Sequence, residues 1–543
     1  MYERVIKISE YLNQENKGPS LYINPELLKK FKIFKKWLID NGAIFEKNID
    51  FPYTYGPFHL IGCKSISEIK GNESILLIPK KLMIISKELN YLDDLIDSIE
   101  DELYESDDIP TLYLTLHLYL ENKHKDSFFR SYLDLIFSNH NFLNDFTEEN
   151  LEIFFDGDEK MIKSIKNTLD DVDHLYSIIN KNTNFNAMTK EDFSFCYSQV
   201  ISRQFYIDQE SVALIPLADL LNHKNIKIHY EIYDSENYIF KYTTNFTLDS
   251  DINIDIRPTF IKEYPIINNK KDAELINPFY FKNDEKNKKK LNIKENDFFS
   301  ISTSKGEIIE EGSQVFNNYY DGGNKYLLKN YGFCLIDNKY DYTSIFINIE
   351  TDKDLYLHKY LEILFGKQYK IHSDSFQKFL KIKIYFNEIC FYLIKYYRFI
   401  YYYKEINDMK QYIDYKFDID LEIRFISLSL ELLKNKSLLM NKTNNIMKDF
   451  NELENDLFNN KEKNIFKINA FIYRITQKIN VLNQIKLLEF ILKIMKNNKN
   501  SIKSYINLLD YEKEFFNLSE YDNDYNSKTK IINFILKSKN IIG

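Results

Sequence analysis

Cysteine is scarce in this sequence of 543 residues, and the four cysteines stand far from one another. They are Cys63, Cys196, Cys334 and Cys390, and no two of them form a CxxC or CxC pair. Structural zinc clusters and disulfide frameworks both need closely spaced or regularly patterned cysteines. The sequence therefore disfavours both kinds of cross-link. It fits a protein of a reducing compartment, which we expect to be the cytoplasm or the nucleus.

Long hydrophobic runs and an excess of positive charge are also missing. No charge-free apolar run reaches about 18 residues, the length that a helix needs to span a bilayer. Residues 1–18 are mixed and polar, without the apolar centre of a secretory signal. Lys and Arg number 72 against 81 Asp and Glu, and the resulting net charge of -9 argues against a general nucleic-acid binder. We expect no membrane span, no secretory signal and no nucleic-acid partner.

The length and the apolar content predict a folded protein with two or three domains. A chain of 543 residues is too long for one core, and its apolar fraction of 44% is ordinary for globular proteins. Residues 25–41 predict a helix, because large apolar residues recur there at three- and four-residue spacing. Short apolar runs at 58–62 and 75–78 predict strands. Residues 88–205 predict mostly helix, ending in a helix over 193–205.

Residues 243–296 differ in composition from the rest of the chain. They contain Asn-Asn-Lys-Lys at 268–271 and Lys-Asn-Lys-Lys-Lys at 286–290, with no steady period. This pattern predicts a partly disordered, low-complexity insertion. The basic run could instead be a nuclear address, although its composition favours a solvated loop. Residues 350–543 predict helix almost throughout, for example over 382–403.

Two motifs far apart in the chain carry the most information. Residues 215–223 read Ile-Pro-Leu-Ala-Asp-Leu-Leu-Asn-His, an apolar run that ends in an Asn-His pair. Residues 314–324 read Gln-Val-Phe-Asn-Asn-Tyr-Tyr-Asp-Gly-Gly-Asn and lead to Tyr-Gly-Phe at 331–333. In this order the motifs resemble the two halves of a SET-domain protein methyltransferase active site. They look most like the class typified by plant Rubisco large-subunit lysine methyltransferase.

The resemblance implies an α+β fold: a SET domain of short β-sheets with a threaded C-terminal segment, a helical insert, and an all-α C-terminal domain. The N-terminal helix and first SET half would occupy 1–87, the insert 88–205, the second SET half 206–349 and a substrate-binding-like helical domain 350–543. The resemblance also implies S-adenosyl-L-methionine (SAM) as the cofactor. Its methyl group would go to a lysine of a protein partner, which we expect to be a non-histone protein. We expect a monomer.

Methyl transfer to lysine depends on positioning, because the amine and the sulfonium methyl must align in a dry pocket. The amine must also lose a proton from a reference pKa of about 10.4, and a narrow apolar channel lowers that pKa by desolvation. By the resemblance, the catalytic Tyr319 lies beside the transferring methyl and orients the amine. The alternative is a structural tyrosine, since the sequence contains 42 of them. Five of the 13 glycines fall within 306–332, which indicates sharp turns or close ligand approach there.

The resemblance also places four residues in the channel for the substrate side chain. Tyr331 would form a wall of this channel, and Phe333 would pack nearby. One branch of the wider class methylates histidine in actin and carries Asn and Trp at the positions of Phe205 and Ala218. An apolar Phe and a small Ala suit a lysine chain better than an imidazole that needs hydrogen bonds. The sequence therefore favours lysine as the acceptor.

The cofactor site is assigned to the first motif and to the end of the insert. Asn222 and His223 match the Asn-His pair that holds the cofactor in the SET fold, and we expect Asp219 to lie in the same site. Arg203, within a Ser-Arg-x-Phe run, could bind the cofactor carboxylate through its two-pronged guanidinium. A plain salt bridge is the alternative. A metal site formed by Asp219, His223 and His229 is disfavoured, because no further Cys or His completes the ligand set.

The chain departs from the family at one loop. SET proteins of this class carry a Gly-x-Gly whose backbone approaches the cofactor, and Pro57-Phe58-His59 stand there instead. Proline lacks the amide donor, and His59 adds bulk. Either the loop is rebuilt around Gly56, with Phe58 and His59 beside the cofactor, or cofactor affinity is weak. A SET-fold binding protein with weak or lost catalysis, and a histidine methyltransferase, therefore stay open as alternatives.

Overall fold

The computed structural model describes most of the chain up to residue 496. The described residues are 1–16, 22–71, 73–103, 109–155, 158–182, 184–207, 211–233, 239–243, 298–304, 306–349, 361–362, 364–365, 369–371, 378–386, 390–402, 419–442, 444–460 and 462–496. Nearly all of the insertion predicted from the sequence at 243–296 therefore lies outside the described residues. The same holds for the end of the predicted helical domain, from residue 497 onward.

The described part contains long helices from three regions of the chain. In the N-terminal region and the insert they are α1 (Tyr2–Asn13), α2 (Pro25–Asp40), α3 (Asp93–Ile99), α4 (Ile109–Lys123), α5 (Arg130–Ile136), α6 (Glu148–Phe154), α7 (Glu159–Ile179) and α8 (Lys190–Ile201). Towards the C-terminus they are α9 (Asn324–Tyr331), α10 (Phe391–Tyr402), α11 (Ile419–Met440), α12 (Ile446–Phe458) and α13 (Ile465–Met495). None of these helices combines the length and hydrophobicity needed to cross a membrane.

The strands are short, as the sequence predicted. They are β1 (Ile49–Tyr55), β2 (Leu60–Ser65), β3 (Ser74–Pro79), β4 (Ile84–Ile85), β5 (Gln204–Tyr206), β6 (Val212–Leu214), β7 (Asn222–His223), β8 (Ile228–Tyr233), β9 (Ile239–Thr243), β10 (Phe298–Thr303), β11 (Gln314–Asn317), β12 (Tyr342–Asn348), β13 (Tyr369–Ile371) and β14 (Lys378–Tyr385). Within the described residues they form four sheets, with strand orders β1-β2-β11-β7, β3-β10-β8-β9, β4-β6-β5 and β12-β14-β13.

Strand β11 joins the two halves of the SET fold. It runs antiparallel to β2, where Gln314 is opposite Lys64, and parallel to β7, where Asn317 is opposite His223. The motif that starts at Gln314 is thus laid directly against the motif that ends at His223. Small sheets, a helical insert and this central strand agree with the predicted α+β architecture.

Local sequence signals account for the helices that frame the sheets. Helix α2 begins at Pro25 because the Asn24 side chain accepts a hydrogen bond from the Leu27 amide, and proline suits the first helical turn. Helix α8 begins after Thr189, whose side chain forms a reciprocal capping box with Asp192. The predicted helix over 25–41 is confirmed.

Three predictions about secondary structure need correction. The C-terminal domain is not all-α, because strands β13 and β14 pair with β12 in a three-stranded sheet. The helix expected over 382–403 is therefore wrong at its start, where residues 382–385 belong to β14 and helix α10 begins at Phe391. The helix expected over 193–205 ends at Ile201, and Phe205 lies on strand β5.

The buried apolar side chains form two cores, and helix α13 belongs to both. Its first half, up to Ile479, packs into the core of the SET domain and insert. Its second half, from Val481, packs into the core of the C-terminal sheet and helices. The helix therefore packs against both the SET domain and the C-terminal domain.

A buried ion network ties α12 to the middle of α13. Asp449 accepts from Arg474 and from Lys478 at 2.5 Å each, and the Asp449 and Lys478 side chains are 1% and 5% exposed. Arg474 also reaches the Phe154 carbonyl oxygen of helix α6 in the insert, at 3.4 Å. Removing the carboxylate would leave two cations buried without their partner, which is costly.

We therefore expect Asp449→Ala to lower the free energy of unfolding by about 3–5 kcal/mol. The matched control is Asp40→Ala, which breaks the Lys36–Asp40 pair, a contact of 2.6 Å between side chains that are 75% and 54% exposed. That loss should stay below about 1 kcal/mol. Urea denaturation measures both, and equal small losses would show that the buried network contributes nothing.

Candidate active site

Tyr319 is fixed at two points by the motif that ends at His223. Its backbone amide donates to the His223 Nδ1 at 3.0 Å, and its hydroxyl donates to the Leu221 carbonyl oxygen at 2.8 Å. Burial raises the pKa of the Tyr319 phenol well above its ordinary value, so the group stays neutral. Because the hydroxyl proton is committed to Leu221, the oxygen can only accept further hydrogen bonds.

His223 acts as a neutral buried support. Burial lowers the pKa of its imidazole to about 3, and because Nδ1 accepts from the Tyr319 amide, the ring proton belongs on Nε2. That Nε2 is buried and forms no hydrogen bond within the described residues. The backbone of His223 lies beside Asn317 in the parallel pairing of β7 with β11.

The predicted channel walls do come together around the Tyr319 ring. The Tyr331 ring centroid is 5.0 Å from that of Tyr319 and 6.0 Å from that of Phe333. Phe333 also packs at 6.2 Å from Tyr319 and 5.7 Å from His223. We call these four side chains the aromatic cluster. An amine held against them loses water, which lowers its pKa towards the neutral, nucleophilic form.

Phe205 belongs to a second group of aromatic rings next to the first. Its centroid lies 5.6 Å from Tyr230 and 5.2 Å from Phe299. The Tyr230 hydroxyl donates to the Asn318 carbonyl oxygen at 2.9 Å, directly before Tyr319 in the chain. Ala218 is fully buried at the start of a single helical turn. The roles of Phe205 and Ala218 in the channel stay predictions.

Asn222 lies in a close contact with Gly62 that the sequence did not reveal. The Asn222 Nδ2 donates to the Ile61 carbonyl oxygen at 3.3 Å, and a Cβ on Gly62 would stand 2.7 Å from the same nitrogen. Only glycine allows this approach of β2 to β7. A lone glycine inside a strand is a known signal of close approach, but the spacing of Gly62 did not match the family pattern.

Arg203 and Asp219 form a partly buried ion pair. The Arg203 Nη1 lies 3.3 Å from the Asp219 Oδ2, which also accepts from the Tyr132 hydroxyl at 2.7 Å. Burial raises the pKa of the Asp219 carboxyl, while Arg203 and Tyr132 act in the opposite direction. Each Arg203 hydrogen bond measures 3.3–3.4 Å, and its Nη2 forms none with the residues described. The plain salt bridge, which is the alternative considered for Arg203, is thus present. Guanidinium N–H donors of Arg203 remain for a second carboxylate.

The loop at 56–59 packs against the end of helix α1 and the residues that follow it. The Gly56 amide donates to the Gln14 carbonyl oxygen at 2.7 Å, and a Cβ on Gly56 would overlap the Leu12 carbonyl oxygen. His59 has a positive φ of 52° and stacks on Tyr22 at 4.0 Å. The Gly56 amide is thus already used by Gln14, and the predicted place of Gly56 in the cofactor site stays a prediction.

Phe58 packs partly buried at the edge of the SET core. Its predicted place beside the cofactor, like that of His59, stays a prediction.

The structure does not have the helix that the metal site of Asp219, His223 and His229 required. That site required Asp219 and His223 to share a helical face, but Ala218–Leu220 forms one tight turn and Asn222–His223 is a strand. The side chain of His229 lies outside the described residues. Among the residues described, no group of three His, Cys, Asp or Glu side chains could hold a metal ion.

Comparison with known proteins supports the fold that this geometry indicates. No protein-family model matches the chain. The ribosomal lysine N-methyltransferase set10 of Schizosaccharomyces pombe is 42% identical over 53 residues, a stretch that is 10% of this chain and 10% of that protein. The curated relative is therefore matched over only a small part of its length.

Solved structures match over most of the chain. The SET domain of LSMT bound to lysine and AdoHcy matches with a TM-score of 0.52 and 17% identity, over 87% of this chain and 93% of that one. Rubisco LSMT bound to sinefungin and monomethyllysine matches with a TM-score of 0.50 and 16% identity, over 87% and 94%. The resemblance inferred from the two motifs is confirmed: this chain has the SET fold of the Rubisco LSMT structures.

Proposed function

We propose that this chain is a SAM-dependent protein-lysine N-methyltransferase that acts as a monomer on a non-histone protein in the cytoplasm or nucleus. The observation that carries the proposal is Tyr319, whose backbone and hydroxyl are both fixed by the 215–223 motif inside the aromatic cluster. The SET fold supports it, and so do the lysine and AdoHcy bound in the similar LSMT structure.

Asn222, His223 and Arg203 are the residues available to bind the cofactor. Gly62 lets the Asn222 amide lie close against strand β2, where a Cβ would stand 2.7 Å from Nδ2. Arg203 keeps guanidinium donors that could take the carboxylate of the methionine part, and its charge is offset by Asp219. The Asn222 side chain and the His223 backbone would hold the rest of the cofactor. SAM would supply a methyl group activated on a sulfonium sulfur.

Positioning and desolvation supply the chemistry on the protein side. The lysine amine would enter along the aromatic cluster, where loss of water favours its neutral form. The Tyr319 oxygen, with its own proton donated to Leu221, would accept a hydrogen bond from the amine and hold its lone pair in line. Because burial raises the pKa of Tyr319, the phenol orients the amine rather than serving as a base.

The test of this proposal is methyl transfer itself. The full chain is incubated with isotopically methyl-labelled SAM and a mixture of cellular proteins, and the digest is analysed by mass spectrometry. Labelled methyllysine is expected. Labelled methylhistidine alone would overturn the lysine assignment in favour of the histidine alternative. No transfer by a protein shown to be folded would favour the SET-fold binding protein, for which the occupied Gly56 amide is the best support.

Tyr319→Phe should lower kcat by about 10²-fold, because it removes the oxygen that orients the amine, while the Kd for SAM stays within about twofold. The control is Tyr176→Phe, which removes another hydroxyl that donates to a backbone carbonyl, that of Met188 at 3.3 Å, in the insert. Steady-state kinetics and calorimetry separate the two effects. An equal loss of turnover and cofactor binding would mean that Tyr319 is structural.

Asn222→Ala should act mainly on the cofactor and raise the Kd for SAM about tenfold, the effect of one lost hydrogen bond. Gly62→Ala should weaken SAM binding as well, since its Cβ would press on the Asn222 amide. Asn150→Ala is the control, because it removes a side-chain bond to a carbonyl, that of Asp145, far along the insert. Unchanged calorimetric Kd values in both site variants would contradict the assignment.

A further inference from the structure

Asn469, on the C-terminal helix α13, clamps the backbone that carries the channel wall. Its side chain is 4% exposed. The Asn469 Oδ1 accepts from the Cys334 amide at 2.8 Å, and its Nδ2 donates to the Gly332 carbonyl oxygen at 3.3 Å and to the Ile465 carbonyl oxygen of its own helix at 3.0 Å. One amide side chain thus binds the peptide groups on both sides of a single residue, Phe333.

The clamped residue is part of the aromatic cluster. The Phe333 ring packs against Tyr319, Tyr331 and His223. Its orientation is set by the backbone at 332–334, since no other residue separates the two bonds to Asn469. A change in this backbone would move the ring that packs against Tyr319.

The insert also lies close to the same backbone. Gly332 ends helix α9 in a left-handed conformation with φ of 75°, and a Cβ there would stand 2.7 Å from the Phe142 Cβ. The segment therefore has the insert against Gly332 and helix α13 across Phe333. It has little freedom to relax while the Asn469 bonds are intact.

Further bonds along α13 reinforce this connection. The Asn324 Nδ2, at the start of α9, donates to the Thr476 hydroxyl at 3.1 Å. The Gln477 Nε2 donates to the Asp341 carboxylate at 3.1 Å, and the same carboxylate accepts from the Asn324 backbone N–H at 2.8 Å. Asn469 and Thr476 are seven residues apart, two helical turns, and so lie on one face of α13. That face holds both ends of helix α9.

We propose that Asn469 is a positioning residue for the methyl-acceptor channel, through which the C-terminal domain sets the placement of Phe333 and Tyr331. The inference rests on the proposed function, because the channel is defined by it. The Asn469 side chain is used by the backbone groups of Cys334, Gly332 and Ile465, so it acts through the wall rather than on a bound group. Removal of the Asn469 hydrogen bonds should therefore change turnover and lysine binding and leave the affinity for SAM unchanged.

The test compares Asn469→Ala with Asn483→Ala in the full chain. Asn483 is a buried asparagine of the same helix, 6% exposed, in the half of α13 that belongs to the second core, and its Nδ2 donates to the Phe386 carbonyl oxygen at 2.8 Å. Both variants lose a buried amide, so similar losses of thermal stability are expected. Only Asn469→Ala should speed amide hydrogen exchange in the peptide covering 331–335, by about tenfold or more. It should also lower kcat/KM for lysine about tenfold with the SAM Kd unchanged.

The hydrogen exchange result is independent of activity, so the two proposals can fail separately. No exchange difference at 331–335 between Asn469→Ala and the wild type would overturn the clamp. Equal loss of kcat/KM in both variants would reduce Asn469 to a general stability role. If the wild type methylates no lysine, the proposed function fails while the exchange data still judge the clamp. Should Asn469→Ala fail to fold, Asn469→Asp keeps the acceptor for the Cys334 amide and loses both Nδ2 bonds, so faster exchange at 331–335 is again expected.

Discussion

The pairing of strand β11 with β2 on one side and β7 on the other is the constraint on which the site depends. Only that register puts Asn317 beside His223 and so brings the Tyr319 amide to the imidazole. A slip of one residue would turn every side chain of β11 to the opposite face. The Tyr319 hydroxyl would then lose the Leu221 carbonyl. Two motifs that are distant in the chain become one site through a few backbone hydrogen bonds.

The site keeps its central groups neutral by burial. Desolvation raises the pKa of Tyr319 and lowers the pKa of His223 to about 3, so neither carries charge where an amine would be held. The nearby charge is paired, with Arg203 against Asp219. Neutral groups at the centre and a paired charge nearby suit a reaction that depends on alignment in a dry pocket rather than on a proton relay.

Much of this arrangement was predictable, because motifs and periodicity are local in sequence. The aromatic cluster and the SET fold follow from the 215–223 and 314–324 motifs. The alternation of β14, with Leu380, Ile382 and Ile384 all fully buried, was present in the sequence but ran into the apolar stretch of helix α10. The sequence could not predict contacts between distant segments, such as Gly56 against α1, Gly62 against Asn222, or the Asn469 clamp, since each depends on tertiary packing.

The central claim is that this SET fold binds its cofactor although Pro57-Phe58-His59 replace the usual glycine loop. Calorimetric titration of the purified full chain with SAM and with S-adenosylhomocysteine tests that claim most directly. The account predicts one site per chain with micromolar affinity, carried by Asn222, the His223 backbone and the remaining Arg203 donors. No binding up to millimolar concentration, in a sample shown to be folded, would contradict it and leave a SET fold that serves only to bind protein.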